Sequence, residues 1–242
     1  MLAALTSRGF QIELHSHAEA ILKVDFPAAL NELEQVLGTL TIPIDDLIRS
    51  GGGEARHTQG MRRALSDIGW KKREFTIQKL IDGRERESIS HEVDHVRVFD
   101  GGMVALEIEW NNKDPFFDRD LENFKRLHVE GTISVGVIVT RGQSLQDNMR
   151  ELVRRFARER NIQSWEDLAP YIPRPTLRQQ EAIQRRCAGG LPFPEVWAVH
   201  FCADKFGAAT THWRKLADRV RRGVGNPCPL LLIGIPEQVV QF

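Results

Sequence analysis

The sequence is poor in cysteine, with three residues in a chain of 242. They are Cys187, Cys202 and Cys228, which lie far apart and form no Cys-x-x-Cys pair. A structural zinc site needs closely spaced cysteines, and a disulfide framework uses them in pairs. The sequence therefore argues against both, and we expect the three thiols to be reduced and mostly buried.

Long apolar runs are also missing. No stretch of the sequence reaches the roughly 18–20 apolar residues that a transmembrane helix requires. The first residues do not show a basic segment followed by an apolar one, as a secretory signal would. We therefore expect a cytoplasmic protein that does not associate with membranes.

The chain has no net charge, because 33 basic residues balance 33 acidic ones. A non-specific nucleic-acid binder is expected to be basic overall, so this balance argues against one. The charges are nevertheless unevenly placed, with acids between 82 and 122 and Arg and Lys dominating 150–186 and 205–222. A basic lining around an acidic centre suits a site that binds phosphates and cations. Solvated helix faces are the alternative, and the simpler one for any single arginine.

Apolar periodicity predicts alternating helices and strands. The predicted helices cover residues 26–37, 55–68, 117–128, 145–160, 179–187 and 210–222, with a short helical turn at 45–48. The predicted strands cover residues 10–14, 73–81, 91–99, 103–110, 133–139, 196–202 and 230–235. Thr210 or Thr211 is the predicted N-cap of the last helix. The central order of helix, three strands, helix, strand and helix predicts a three-layer α/β core with a mixed sheet.

The glycine-rich segment at 50–54 could in principle hold a phosphate. No Gly-Lys-Ser/Thr follows it and no clear strand precedes it, so the phosphate-loop pattern is incomplete. We predict that it is a flexible connection into the helix at 55–68.

Three acids stand out on two neighbouring predicted strands. Asp94 lies on the first, and Glu107 and Glu109 flank Ile108 on the second, so the two glutamates share one face. The glycines at 101 and 102 predict a tight turn between the strands. Carboxylates brought together in this way repel one another, and burying them is costly unless something neutralises them.

A divalent cation is one neutraliser, and ligands that are all oxygen favour Mg²⁺ or Mn²⁺ over zinc. The alternative is an acidic surface strand, or acids paired with Arg97 and Arg119. The residue pattern alone leaves these interpretations open.

The order of elements, with one acid followed by a pair of acids, resembles the PD-(D/E)XK nuclease fold. Two segments are similar to the BglII/BstYI group of Type II restriction endonucleases, with BamHI a more distant relative. They are Glu-Ile-Glu-Trp-Asn-Asn-Lys-Asp at 107–114 and Phe-Asp-Arg-Asp-Leu-Glu-Asn-Phe at 117–124. The likeness covers most of the chain and includes residues 17–22 and 226–230.

The resemblance implies a restriction-endonuclease-like domain over residues 1–242, with a catalytic core at about 50–160 and an arm at 161–242 that completes the sheet and grips DNA. It also implies a Mg²⁺-dependent homodimer that cuts double-stranded DNA, and a methyltransferase acting on the same site. The implied target is GATC-centred, such as RGATCY or AGATCT. The implied ends carry a 5′-phosphate and a 5′ overhang.

Carried over by position, the resemblance assigns metal binding to Asp94, Glu107 and Glu109. The third of these positions is usually lysine in the wider superfamily and is glutamate in BamHI, so this chain follows BamHI. Because glutamate replaces lysine here, the resemblance does not imply a positive charge from this position in the transition state. Glu54, at the N-terminus of the preceding helix, is the match for a further catalytic acid.

The resemblance also implies DNA contacts on either side of the buried strand at 133–139. The candidate DNA-binding residues are Asn111, Asn112, Lys113, Asp114, Arg119, Arg141 and Gln143. Asn112 could read adenine through its amide, and Arg141 could read guanine. Fold alone does not establish activity. A structure-specific repair nuclease and an inactive DNA-binding protein of the same fold are therefore the alternatives.

Overall fold

The structure, a computed structural model, describes residues 1–49, 53–173 and 175–242. Positions 50–52 of the predicted glycine-rich connection lie outside the described residues. The strands are β1 (Gln11–His15), β2 (Ile42–Pro43), β3 (Lys71–Ile81), β4 (Arg84–Phe99), β5 (Gly102–Glu109), β6 (Val135–Arg141), β7 (Leu230–Ile235) and β8 (Val240–Gln241).

The helices precede, connect and follow these strands. They are α1 (Ala3–Ser7), α2 (Ala18–Val24), α3 (Pro27–Gly38), α4 (Ile44–Ile48), α5 (Arg56–Asp67), α6 (Phe116–Val129), α7 (Gln143–Glu159), α8 (Trp165–Leu168), α9 (Leu177–Ala188), α10 (Phe193–Lys205) and α11 (Trp213–Arg221), with a 3-10 turn at Glu237–Val239. Within the described ranges, none of these helices has the length and apolar character needed to cross a membrane.

Six strands form one mixed sheet in the order β1-β7-β6-β5-β4-β3. Strands β5, β6 and β7 are parallel neighbours, whereas β3, β4 and β5 pair antiparallel and β1 pairs antiparallel with β7. All seven residues of β6 are buried, as its continuous apolar sequence predicts for a central strand. Strands β2 and β8 form a separate parallel pair.

A hydrophobic core covers each face of the sheet. Successive side chains of a strand point to opposite faces, so Val104 and Leu106 of β5 pack in one core while Ala105 between them packs in the other. The first core is completed by α3, α7 and α10, and the second by α6 and α11. The structure thus confirms the predicted three-layer α/β core with a mixed sheet flanked by helices.

The α6 layer lies directly on the main chain of the sheet. Gly136 of β6 faces the ring of Phe124, and an added Cβ at that glycine would collide with the ring. Phe124 itself is fully buried. The absence of a side chain at position 136 therefore sets how closely α6 approaches the sheet.

Two predictions about the C-terminal part were wrong. Residues 196–202, predicted as a strand, belong to helix α10. A short apolar run does not distinguish a buried strand from a buried helix, and Pro194, in the first turn, favours the helix. The predicted threonine caps also differ, because α11 begins at Trp213 and the hydroxyl of Thr210 donates to the Gly207 carbonyl.

The β3–β4 hairpin is longer than predicted. Strand β4 begins at Arg84 instead of 91, and Asp82 and Gly83 form the turn with positive φ angles of 52° and 73°. The outer part of the hairpin is largely exposed, including Leu80 and Ile81. Its sequence carries little apolar periodicity because few of its side chains are buried, which explains why the pattern missed it.

Candidate active site

The three predicted acids lie in one cleft at the junction of β4 and β5. The cleft has a volume of about 380 Å³, and Asp94, Glu107, Glu109, Asn112 and Arg119 are among its lining residues. Alternation along β5 places both glutamates on the same face as Ala105, which is the face covered by α6. The period-two pattern of the sequence therefore directs both carboxylates towards the helix.

Asp94 and Glu107 meet across the antiparallel pair. Asp94 lies one step beyond the paired residues His95 and Leu106, and its main-chain N–H donates to Glu107 Oε1 at 3.2 Å. Glu107 is buried, with 4% of its surface exposed. The Asp94 side chain is about half exposed, and its Oδ1 lies 3.8 Å from Lys72 Nζ. One acid is thus held inside the protein and the other stands at the mouth of the cleft.

Glu109 is held from two sides. Asn112 Nδ2 donates to Glu109 Oε2 at 2.7 Å, and Arg119 Nη2 lies 3.6 Å from Glu109 Oε1. The glutamate is almost fully buried. The structure therefore brings Asn112 and Arg119, two predicted DNA-binding residues, into contact with a predicted catalytic acid.

Asp120 of α6 is a fourth acid in this cluster, and the sequence analysis missed it. It is 1% exposed, and its Oδ1 lies 2.8 Å from Arg119 Nη2. The signal was present, because Phe117, Asp120, Leu121 and Phe124 follow the i, i+3, i+4, i+7 spacing of a buried helix face. An acid on the apolar stripe of an amphipathic helix needs a partner inside the protein.

Burial dominates the electrostatics of the cluster. It raises the pKa of Glu107 well above its usual range and the pKa of Glu109 to about 8, and the charge of Asp120 adds to both effects. Burial also raises the pKa of Asp120, although Arg119 opposes the change. Without a bound metal cation, the cluster therefore retains protons at neutral pH. Its ionised form would be stabilised by added positive charge.

The protein, measured without metal, is expected to lose stability as the pH rises from about 5 to 8. In this window an unfolded glutamate is ionised, whereas Glu109, with its pKa of about 8, keeps its proton in the folded state. The folded state then binds more protons, so the free energy of unfolding falls as the pH rises. The slope approaches about 1.4 kcal/mol per pH unit for each such group.

Denaturant unfolding in EDTA at several pH values measures this slope. Glu109→Gln should reduce it. Glu122→Gln, on the partly exposed side of α6, should leave it unchanged, because the pKa of Glu122 is lowered by Arg126 and Lys125 and this carboxyl is ionised throughout the window. A wild-type slope in Glu109→Gln would contradict the assignment.

The donor atoms of the cleft suit a hard divalent cation, because Asp94, Glu107 and Glu109 offer carboxylate oxygens. Among the described residues, no group of three His, Cys, Asp or Glu side chains is already arranged to hold a metal ion. The Glu107 and Glu109 oxygens accept from the Asp94 N–H and from Asn112 instead. The residues thus fit the implied Mg²⁺ in the chemistry of their donors.

Glu54 lies in a second cleft of about 820 Å³ that adjoins the first. Asp94, Ile108 and Asn112 line both clefts. Glu54 pairs with Arg62 at 3.0 Å. Glu54 is therefore not part of the cluster but lies in the neighbouring cleft, with Asp94, Ile108 and Asn112 between the two.

The segment after β5 carries the other predicted DNA contacts. Asn111 lines the second cleft, and Lys113 is exposed and forms a β-bridge with Thr210. Asp114 accepts from Lys215 at 3.1 Å and lies 3.6 Å from Arg219. Asp114 is thus already neutralised within the protein.

Arg141, a predicted reader of guanine, is fully buried. Its Nη2 donates to Thr210 Oγ1 at 2.6 Å and to the Thr211 carbonyl at 2.7 Å. Thr211 Oγ1 in turn accepts from the Asn112 N–H at 3.1 Å. The Arg141 side chain therefore points into the protein and not towards DNA, as its position at the end of the strand had suggested. It anchors the loop that carries Thr210 and Thr211, behind Asn112. Gln143, at the start of α7, bonds Asp147.

Comparison with curated proteins gives no match. The family model described as restriction endonuclease BglII/BglIII matches residues 10–235, which is most of the chain and includes every acid of the cluster. The mixed sheet flanked by helices is consistent with that fold. The chain therefore belongs to the BglII family of Type II restriction endonucleases, which are site-specific deoxyribonucleases acting on double-stranded DNA.

Proposed function

We propose that this endonuclease requires Mg²⁺, for which Mn²⁺ can substitute, and that Asp94, Glu107 and Glu109 form its catalytic centre. The observation that carries the proposal is the pair of buried glutamates beside a half-exposed aspartate in one cleft. Burying carboxylates of raised pKa is costly, and a bound cation would offset that cost.

Each acid has a role that its surroundings support. Asp94 and Glu107 would hold the cation, which when bound neutralises charge on the phosphate and lowers the pKa of coordinated water. Glu109 would orient the attacking water and accept its proton, because Asn112 fixes one of its oxygens. Glu54, which pairs with Arg62 in the adjoining cleft, would be a further catalytic acid of the same centre. The products would be a 5′-phosphate and a 3′-hydroxyl.

The target we propose is a GATC-centred hexanucleotide, such as RGATCY or AGATCT, cut to leave a four-base 5′ overhang. A palindrome presents two equivalent strands, so the proposed active form is a homodimer with one centre for each strand. We also propose action in the cytoplasm, with a methyltransferase protecting the same site.

Asn112→Ala is expected to weaken binding to the cognate site by about tenfold or more, since a bidentate amide–adenine pair discriminates by about 1–3 kcal/mol. Binding to random DNA should change less. Lys113→Ala is the matched control, because an exposed lysine that contacts phosphate affects both DNAs alike. Titration of labelled duplexes without divalent metal measures both affinities. Equal losses of affinity for cognate and random DNA in Asn112→Ala would instead make Asn112 a phosphate-contacting or structural residue.

Digestion of a fully sequenced, unmethylated plasmid with Mg²⁺ and then with EDTA tests the proposed function. Discrete Mg²⁺-dependent fragments are expected, and sequencing their ends gives the site and the overhang. A smear would contradict sequence specificity, and uncut linear duplex with cleaved branched DNA would favour the repair nuclease. Specific binding without cleavage would favour the inactive DNA-binding protein.

A further inference from the structure

The cleft contains more acid than its proposed catalytic role requires. Asp94, Glu107 and Glu109 are joined by Asp120 from the opposite layer, and Arg119 is the guanidinium that reaches this cluster. A cation at this place needs an explanation, because Glu107 and Glu109 bring only negative charge to the cleft from β5. The question is whether Arg119 only neutralises Asp120 or also acts on substrate.

The guanidinium of Arg119 is held by Asp120 along one edge and by the Phe116 ring against one face. Its Nε donates to Asp120 Oδ1 at 2.9 Å, its Nη2 lies 2.8 Å from the same oxygen, and its carbon lies 4.5 Å from the centre of the Phe116 ring. About 55% of the side chain is nevertheless exposed, and it lines the cleft. A cation held in this way has little rotational freedom left to lose when it binds an anion.

Asp120 is built as the anchor. It is 1% exposed, its Oδ1 contacts two nitrogens of Arg119, and its carboxyl also bonds the Glu109 side chain. Burying a carboxylate costs stability even when it is paired. Retaining it is consistent with a role in placing the arginine.

We propose that Arg119 is a catalytic residue that contacts the scissile phosphate, and that Asp120 is the positioning residue that holds it there. This inference rests on the proposed function of the cleft. Arg119 would then supply from α6 the positive charge that Glu109 does not supply from β5.

The step is an ordinary hydrolysis. The water oxygen bonds to phosphorus, its proton passes to Glu109, and the bond from phosphorus to the 3′ oxygen breaks. A solvent water protonates the leaving 3′ oxygen. Arg119 stabilises the negative charge that accumulates on the non-bridging oxygens in the transition state.

Single-turnover cleavage and metal-free DNA binding, measured in parallel, test the proposal. Arg119→Ala should slow cleavage by about 100- to 1,000-fold, as loss of a transition-state donor does, and change the dissociation constant for cognate DNA far less. Arg119→Lys should retain part of the activity. Asp120→Asn should slow cleavage while leaving binding unchanged. Lys125→Ala, on the same helix and paired with Glu122, should match wild type.

Rescue of cleavage by added guanidinium distinguishes a catalytic role of Arg119 from a purely structural one. Added guanidinium should restore part of the cleavage rate of Arg119→Ala, and less in the double variant that also carries Asp120→Asn, because the anchor is then weakened. Equal losses of rate and affinity in Arg119→Ala, or no rescue, would overturn the proposal.

Wild-type cleavage is measured first, which separates the two claims. A wild type that does not cut would overturn the proposed function and this inference with it. A wild type that cuts, beside a fully active Arg119→Ala, would overturn this inference alone. If Arg119→Ala does not fold, the cleavage rates and DNA affinities of Arg119→Lys and Asp120→Asn test the proposal in its place.

Discussion

Glu107→Gln is expected to slow DNA cleavage by about 1,000-fold or more while leaving cognate binding within a few-fold of wild type. The substitution removes the charge that would hold the cation but keeps the shape of the side chain. The amide oxygen can still accept from the Asp94 N–H, so the β4–β5 pairing should remain. Stability at pH 8 should not fall, because a carboxyl that is costly to ionise is lost.

Single-turnover assays, binding titrations and thermal unfolding check the three parts of this prediction. Glu87→Gln is the matched control, because Glu87 lies on the exposed outer part of the neighbouring strand β4. It should behave as wild type in all three. Undiminished cleavage by Glu107→Gln would remove Glu107 from the catalytic centre.

Phe124→Ala is expected to lower the free energy of unfolding by about 3–5 kcal/mol, the usual cost of removing a buried phenylalanine ring. That is a large share of the stability of a typical domain. The ring is fully buried and fills the space over Gly136, so its loss leaves a cavity between α6 and β6. Cleavage should fall as well, because α6 carries Arg119 and Asp120.

Denaturant unfolding measures the first effect, with Val129→Ala on the exposed end of α6 as the control. That variant should lose less than about 0.5 kcal/mol, as surface substitutions do. A similarly small loss in Phe124→Ala would show that the contact with Gly136 does not determine the docking of α6.

The layers and the acids of β4 and β5 could be predicted from the sequence because each depends on local periodicity. Alternation placed Glu107 and Glu109 on one face, and the continuous apolar run identified β6 as central. These patterns fix which face a side chain points to, and the sheet supplies the rest of the geometry.

The remaining parts depend on contacts between distant segments. Asp120 meets Glu109 because α6 lies on the face to which β5 alternates, and neither segment alone shows this. Arg141 turns inward to Thr210 and Thr211, 69 and 70 residues further along the chain. The run at 196–202 became a helix because its apolar residues satisfy either period, and only packing decides between them.

The long β3–β4 hairpin has a consequence for how the protein behaves at high concentration. Strand β3 ends the sheet, so its outer edge could pair with a strand of another molecule, and Leu80 and Ile81 add exposed apolar surface. Lys71, Arg73 and Lys79 outnumber Glu74 along that strand, whereas Lys72 is paired with Glu92 at 2.7 Å. Repulsion between copies is screened by salt, so self-association through this strand should become a hazard in concentrated, salty storage buffers, and dilute low-salt stocks should keep the enzyme in solution longer.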